Sequence, residues 1–389
     1  MAFQLTSAEA REAIRVLRDG LPPGPSVSQW MTCGLRDQIA KAELALSRVV
    51  TEGCYEITVI AGTNGAGKSH LLALLQLLAE KQGFLVSYSS QDVATGVALN
   101  RPGLVYQAIM NNLIQSTSHS DPLLSLVRDW SERAIPRLAG AAMNMGQFYR
   151  LRDAGLLPQS SPPRTTLCLL LYIWGARQSS DEACRLAISA LRGDQITNKT
   201  LCEAAQKLNL DPGRISWTPN TYNSEFWFGQ LKTIIFLATA MGRPGALIVL
   251  DEIESLLELG RSSSKRRAYS EMKALFLNVY GWARTWLVLA YTPAFLVGLE
   301  RDEAADNDFR ETLSAVRREA GIALAPRLEQ HDAECVVTHV REIYQMWRGT
   351  RRQLSEPAEL VRRWIRSGGP TRELVRMSVE ECDRAAASS

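Results

Sequence analysis

The sequence predicts an α/β fold built on a parallel sheet, and three observations carry that expectation. Tyr55–Ala61 is a short apolar, β-branched run with strand character. A glycine-rich turn and a leucine-rich helix follow it, Gly83 closes the helix, and Phe84–Ser89 reads as a strand again. Short connections in such a strand–loop–helix–strand unit are the sign of a parallel sheet. Two further runs, Ala246–Leu250 (ALIVL) and Trp286–Tyr291 (WLVLAY), have the unbroken apolar character of buried strands.

The remaining elements are read as helices. Residues 6–20 form one, capped by Thr6 or Ser7, with Ala10, Ile14, Val16 and Leu17 as its apolar side. The stretch Gly20-Leu-Pro-Pro-Gly-Pro25 ends it, and a second helix covers about 35–50. From about 104 to 243 the chain is mostly helical, with apolar spacing over 122–140, 165–176, 182–191 and 224–241 and proline-containing breaks at 158–163 and 211–219. A charged, helix-rich stretch at 300–325 precedes 330–389, which reads as two or three short helices separated by Glu356-Pro357 and Gly368-Gly369-Pro370. The expected organisation is an N-terminal helical segment (1–50), a core (51–325) with a helical insert at about 104–223, and a small C-terminal lid-like helical domain (326–389).

Composition sets outer bounds. With 389 residues, 46% hydrophobic and 22% charged, the chain is of ordinary globular type, which excludes collagen, a coiled-coil rod and a wholly disordered chain. Forty-four basic and 41 acidic residues leave a net charge of +3, too balanced to argue for a polyanionic partner. No stretch reaches the roughly 18–20 apolar residues of a membrane span. Glu9, Arg11, Glu12 and Arg15 stand where a signal peptide would need an apolar core. A cytoplasmic protein without a membrane partner is expected. The seven cysteines are scattered, odd in number and without CxxC spacing, so reduced thiols are expected; with four histidines, zinc chemistry is not.

The strongest motif is Gly62-Thr63-Asn64-Gly65-Ala66-Gly67-Lys68-Ser69, a full match to the phosphate-cradling pattern G-x-x-x-x-G-K-[ST]. Glycines let the backbone wrap closely enough for successive N–H groups to point at phosphate oxygens. The loop hands over to a helix N-terminus, whose dipole favours an anion. Lys68 then serves the β- and γ-phosphates, Ser69 ligates Mg2+, and His70 follows in line. A strand before and a helix after supply the context the motif needs. The fold class thus narrows to a P-loop NTPase.

Such an enzyme needs a carboxylate at the end of another core strand. Asp251 and Glu252 follow ALIVL directly. Asp251 is expected in the Mg2+ shell, and Glu252 as the group that orients and polarises the attacking water. Glu254 is a weaker candidate. WLVLAY ends in Thr292-Pro293, where the additional-strand (ASCE) class places a γ-phosphate sensor; Thr292 reads equally as a turn residue before proline.

With these residues in view, the chain resembles the P-loop ATP-binding proteins of BREX-type phage-resistance loci, the BrxD and BrxC family. Arg11-Glu-Ala-Ile-Arg-Val-Leu-Arg-Asp-Gly-Leu-Pro-Pro23 looks like that family's opening helix and turn. AGTNGAGKSHLL, GFLVSYSSQD, Ala190-Leu-Arg-Gly-Asp194 and the helix leading into ALIVLDEIE are similar too. Thr63-Asn64 departs from the more acidic or glycine-rich turn common there. The resemblance implies an AAA+/STAND-like ATPase near the origin-recognition branch, with ATP as substrate and ATP-dependent work in defence against foreign DNA. It implies other defence-system proteins, DNA and further copies of the chain as candidate partners. Adenine is implied in the same way; Asn198-Lys199 lacks the Asp that a guanine-reading motif would carry two residues later. Two alternatives stay open: a nucleotide-gated scaffold with little turnover, and an origin-recognition-type DNA-loading ATPase.

AAA+ enzymes bring a lid arginine to the γ-phosphate, since the planar guanidinium pairs two oxygens at once. Gly368-Gly-Pro-Thr-Arg372-Glu-Leu looks like a helix start carrying one, so Arg372 is the candidate, with a solvated helix arginine as the other reading. Arg310, Arg317 and Arg318 are candidates for a finger, and no pattern chooses among them. Nine arginines between 341 and 376, interleaved with Tyr344, Trp347 and Trp364, read either as a phosphate-contacting face or as a solvated face over core aromatics. Ser262–Arg267 (SSSKRR) reads as a mobile loop. The C-terminal segment is too short to hold both a lid and a winged helix.

Overall fold

The computed structural model describes residues 4–114, 121–138, 150–157, 181–194, 196–207, 220–325, 327–349 and 354–387. The predicted apolar helix at 165–176, the breaks at 158–163 and 211–219, and Arg351 and Arg352 lie outside them.

Among the described residues, six strands make one sheet in the order β3-β2-β4-β5-β1-β6: β1 is Tyr55–Ala61, β2 Leu85–Ser90, β3 Leu113–Ile114, β4 Ala246–Asp251, β5 Thr285–Tyr291 and β6 Gly321–Ala323. The neighbours pair in parallel except β3, an antiparallel edge on β2. β3 and β6 are absent from the sequence-based expectation. With two and three residues they carry no readable periodicity, and pairing with a formed sheet makes them strands.

The four longer strands read as continuous apolar runs because both faces are covered. Successive side chains point to opposite faces, so each run divides between two cores. Leu247, Val249, Trp286 and Val288 pack with α3 (Arg36–Thr51) and α4 (Lys68–Lys81) through Leu46, Val49, Leu71 and Leu75. Ile248, Leu250, Leu287 and Leu289 face the other way. There they meet α5 (Pro102–Asn111), α9 (Ser224–Ala240) and α10 (Ser262–Phe276) through Ile109, Phe228, Ile234 and Met272. α6 (Pro122–Leu138), α7 (Asp181–Arg192) and α8 (Asn198–Lys207) extend this second core outward. Gln107 on α5 donates to Asp194 just after α7 at 2.9 Å, which fixes the insert to the sheet side. α11 (Pro293–Arg301) and α12 (Asn307–Ala320) complete that layer.

A separate pair of cores lies among α13 (Gln330–Arg348), α14 (Pro357–Ser367) and α15 (Thr371–Ala387). α1 (Ser7–Arg18) belongs to the first of them: Ala10, Ile14 and Leu17 pack with Val336, Val340 and Val379. α2 (Pro25–Trp30) contributes Val27. The first 50 residues are therefore shared, with α1 on the C-terminal helices, α3 on the sheet, and α2 packed on α4 while Val27 reaches the C-terminal core. α1 starts at a full capping box, Thr6 accepting from the Glu9 N–H and Glu9 accepting from the Thr6 N–H.

Three expectations change. Ser262–Arg267 is not a loop: it is the first part of α10, and Lys265 pairs with Asp302 at 3.0 Å. α13 runs for 19 residues, so the C-terminal segment is not made only of short helices. Cys33 and Cys335 are not separate thiols: the fold joins them as a disulfide, with Cα atoms 6.4 Å apart and 302 residues between them in sequence. No local spacing can announce a pair so distant. In the arginine-rich C-terminal region, Trp364 is fully buried and Tyr344 nearly so. Arg341 and Arg363 converge on Glu381, and Arg348 lies over the Trp347 ring at 4.1 Å. Among the described residues no helix is long and apolar enough to cross a membrane.

Leu287 sits in the middle of the central strand and is fully buried. Leu287→Ala should destabilise the fold by roughly 2–5 kcal/mol, the range for a buried leucine that leaves a cavity. The check is a lower urea midpoint with an unchanged slope.

Candidate functional site

A sheet covered on both faces leaves polar chemistry only at the strand ends. β1 and β4 end on the same side, separated by β5. A cavity of about 340 Å3 opens there. Its polar lining is the loop Thr63–His70 together with Asp251, Glu252 and Glu254. Thr371 and Arg372 line it from the first turn of α15. Its apolar lining includes Leu17, Leu21, Pro22, Pro23, Met31, Leu328, Val336 and Val375.

The loop conformation follows from its glycines. Gly62 leaves β1 with its N–H donating to the Tyr291 carbonyl at 3.3 Å, and Ala66 N–H donates to the Thr63 carbonyl at 3.1 Å. Gly65 and Gly67 have φ of 79° and 97°, a region a Cβ disfavours. Gly67 is the N-cap of α4 and offers no side chain to the first turn. The first N–H groups of that helix have no partner within it and carry its positive end. Lys68 curls back so that its Nζ donates to the Gly62 carbonyl at 3.2 Å.

Asp251 is only 4% exposed. It accepts from the Tyr88 hydroxyl at 2.7 Å and from the Glu252 N–H at 2.8 Å. Burial raises its pKa; those two hydrogen bonds and the nearby Lys68 ammonium pull the other way. Burial, and then the Asp251 charge, push the Tyr88 phenol far up, so it remains a donor. Glu252 has φ 56° and ψ 40°, left-handed values that cost a non-glycine residue on the order of 1–3 kcal/mol. That turn leaves its side chain exposed, accepting from Ser90 Oγ at 2.6 Å. Backbone strain therefore sits at the residue next to the buried acid.

The remaining candidates are placed as follows. Glu254 accepts the Thr292 N–H at 3.1 Å. Thr292 is buried at the N-cap of α11, behind the lining rather than in it. His70 is largely buried, which lowers its pKa to about 4 and makes it a neutral imidazole; its Nε2 is 3.1 Å from Thr32 Oγ1. Arg372 donates its N–H to the Gly65 carbonyl at 3.3 Å, and its stem packs over Gly20. A Cβ on Gly65 would stand 2.9 Å from Pro370, so a glycine is required where α15 meets the loop. The Thr371 hydroxyl is buried and makes no hydrogen bond among the described residues. Among the finger candidates, Arg310 is engaged internally, donating to the Leu299 and Asp302 carbonyls at 3.0 Å each.

The structure thus brings Lys68, Ser69, His70, Asp251, Glu252 and Arg372 to one cavity and leaves Thr292 behind it. Sequence reasoning missed Tyr88 and Ser90, which hold the two acids, and the apolar lining from the α1–α2 turn. A signal for the first pair exists: Tyr88 and Ser90 alternate along β2, and Ser90 is in register with Asp251. The second has none, because it arises from packing between the chain's two ends.

The raised pKa of Asp251 has a pH consequence. An acid whose folded pKa lies above its ordinary 3.8 binds its proton more tightly in the folded state. Its contribution to stability is then lost as pH rises from about 4 through the folded value. Asp251→Asn should raise the urea midpoint of the nucleotide-free protein at pH 7 relative to wild type, with the gap closing towards pH 4. An unchanged gap across that range would show that burial of the charge is not the cause.

A search of curated proteins gave no match. A family model described as "BREX system ATP-binding protein BrxC/D" matches residues 5–367. That span takes in α1, the glycine-rich loop, both acids and the C-terminal helices as far as the end of α14. With nearly the whole described fold inside the match, the chain belongs to the BrxC/D family of BREX system ATP-binding proteins.

Proposed function

We propose that the chain binds ATP with Mg2+ in the cavity at the strand ends and hydrolyses it, as a P-loop NTPase of the AAA+/ASCE type. The carrying observation is the convergence of the Gly62–Ser69 loop, the Asp251–Glu252 pair and Arg372 on one cavity. Strand order supports the class: β5 lies between the strand that leads into the loop and the strand that ends in the acids. The residues fit a triphosphate. An unpartnered buried hydroxyl at Thr371, a cationic Lys68 and Arg372, and a helix N-terminus suit its oxygens. The apolar lining suits a base.

Lys68 and the loop N–H groups hold the β- and γ-phosphates, and Arg372 pairs γ-oxygens from the α15 side. Ser69 and Asp251 would hold Mg2+, which neutralises phosphate charge when bound. Glu252 orients a water in line with the γ-phosphorus and takes up its proton as the bond to ADP breaks, releasing ADP and phosphate. Ser90 sets the direction of that carboxylate. Thr292 acts through Glu254 as a positioning residue. The chain contributes positioning and charge stabilisation rather than covalent chemistry.

The three units are a core of 51–325, its insert at about 104–223, and a lid of 326–389 that α1 and α2 complete. Movement of that lid, in contact with the loop at Gly65, couples the nucleotide state to the rest of the molecule. Membership of a BREX ATP-binding family supports a role in defence against foreign DNA, with partner proteins, DNA or other copies of the chain receiving the movement.

Lys68→Ala should weaken ATP binding by roughly 10- to 100-fold, the value of a charge-assisted contact, and abolish turnover. Equilibrium binding of a fluorescent ATP analogue reads the first and steady-state phosphate release the second. Glu252→Gln should bind ATP like wild type while turnover falls by roughly 100-fold or more. Wild-type phosphate release from Glu252→Gln would remove Glu252 as the base, and no release from the wild-type chain, with or without DNA, would make it a scaffold instead.

A further inference from the structure

We propose that Cys33, Cys335 and His339, in the reduced protein, form a binding site for a borderline-soft divalent cation such as Zn2+, which staples the C-terminal helices to the segment between α2 and α3. This site is distinct from the Mg2+ position. It is the one group of three such side chains, among the described residues, whose potential ligand atoms all lie within 4.8 Å of one another.

The geometry is that of a small metal centre. Cys335 and His339 stand four residues apart on α13, so they project from one face of the helix. Cys33 approaches from the other end of the chain. His339 Nδ1 is 3.7 Å from Cys33 Sγ and 4.0 Å from Cys335 Sγ. A tetrahedral zinc, with bonds of about 2.3 Å to sulfur and about 2.0 Å to nitrogen, sets nitrogen and sulfur ligands roughly 3.5 Å apart. The Cα separation of 6.4 Å allows the two sulfurs to part by the small distance a shared ion needs.

The surroundings favour ligation over a bare disulfide. A disulfide gives His339 no task, yet its ring is held in place by Trp30 at 4.3 Å between centroids and turns Nδ1 to both sulfurs. All three residues are half-buried, which shields a bound ion while leaving it a route in. Asp332 lies about one turn before Cys335 on the same helix, its carboxylate against Gly34, and adds negative charge near the cation. Binding converts two thiols to thiolates, so two protons are released per ion bound. The disulfide seen between the same sulfurs is the oxidised form of the site and excludes the ion.

The location gives the staple a consequence. Cys33 also lines the cavity at the strand ends, and Val336 beside Cys335 lines it too. An ion at this point ties the two walls that must separate if the lid is to open.

The test uses the full chain, reduced with a phosphine and titrated with Co2+. The expected result is one Co2+ per chain, with thiolate-to-cobalt absorption in the near ultraviolet and tetrahedral bands in the visible, both removed by equimolar Zn2+. Cys335→Ser should at least halve the near-ultraviolet absorption at saturating Co2+, His339→Gln should weaken Co2+ binding by at least tenfold, and the Cys33→Ser, Cys335→Ser double variant should abolish the band, with circular dichroism reporting that each variant is folded. Pre-oxidation to the disulfide should block the titration. No cobalt absorption in the reduced, folded chain would overturn the proposal, as would unchanged affinity in His339→Gln. Because the readout is metal absorption rather than turnover, the result stands apart from whether ATP is hydrolysed.

Discussion

The contact between Gly65 and the start of α15 is the constraint on which the site depends. There the loop that leaves β1 meets the helices that close the chain. Arg372 N–H reaches the Gly65 carbonyl at 3.3 Å, and Pro370 sits so near that no side chain fits on Gly65. The loop is held on one side by the sheet and on the other by this contact. A displacement of α13–α15 would therefore be felt at the glycine-rich loop.

Around that clamp, two electrostatic choices shape the acids. Asp251 is buried and held by Tyr88 and its neighbour's N–H, so its carboxylate is fixed in place at the cost of desolvation. Glu252, one residue on, is turned outward by a left-handed backbone and held by Ser90. Adjacent residues on a regular strand would face opposite sides of the sheet. The strained turn brings both acids to the same cavity, which suits a metal-holding role for one and a proton-accepting role for the other.

Much of this was legible in the residues themselves. The loop, the helix behind it and the four longer strands are local patterns: glycines at fixed offsets, unbroken apolar runs, a leucine-rich helix. Asp251 and Glu252 are legible because an unbroken apolar run takes charges only where it reaches the open end of the sheet. Thr292 shows the limit of such reading: its position after β5 matches the pattern, but its burial at the N-cap of α11 puts it behind Glu254. SSSKRR, polar and charged, reads as a loop, yet Lys265 finds Asp302 and the stretch starts a helix that buries Tyr269 and Met272.

By itself, then, the sequence determined the glycine-rich loop, the acid pair and the strands that carry them, because motif spacing and hydrophobic periodicity act over a few residues. The tertiary structure alone decided that α1 joins the C-terminal helices, that residues 20–23 wall the cavity, that β3 and β6 are strands, and that Cys33 meets Cys335 and His339. Each of those is a meeting of segments far apart in the chain. Nothing in local backbone preference encodes them; they follow from which apolar faces remain uncovered once the sheet has formed.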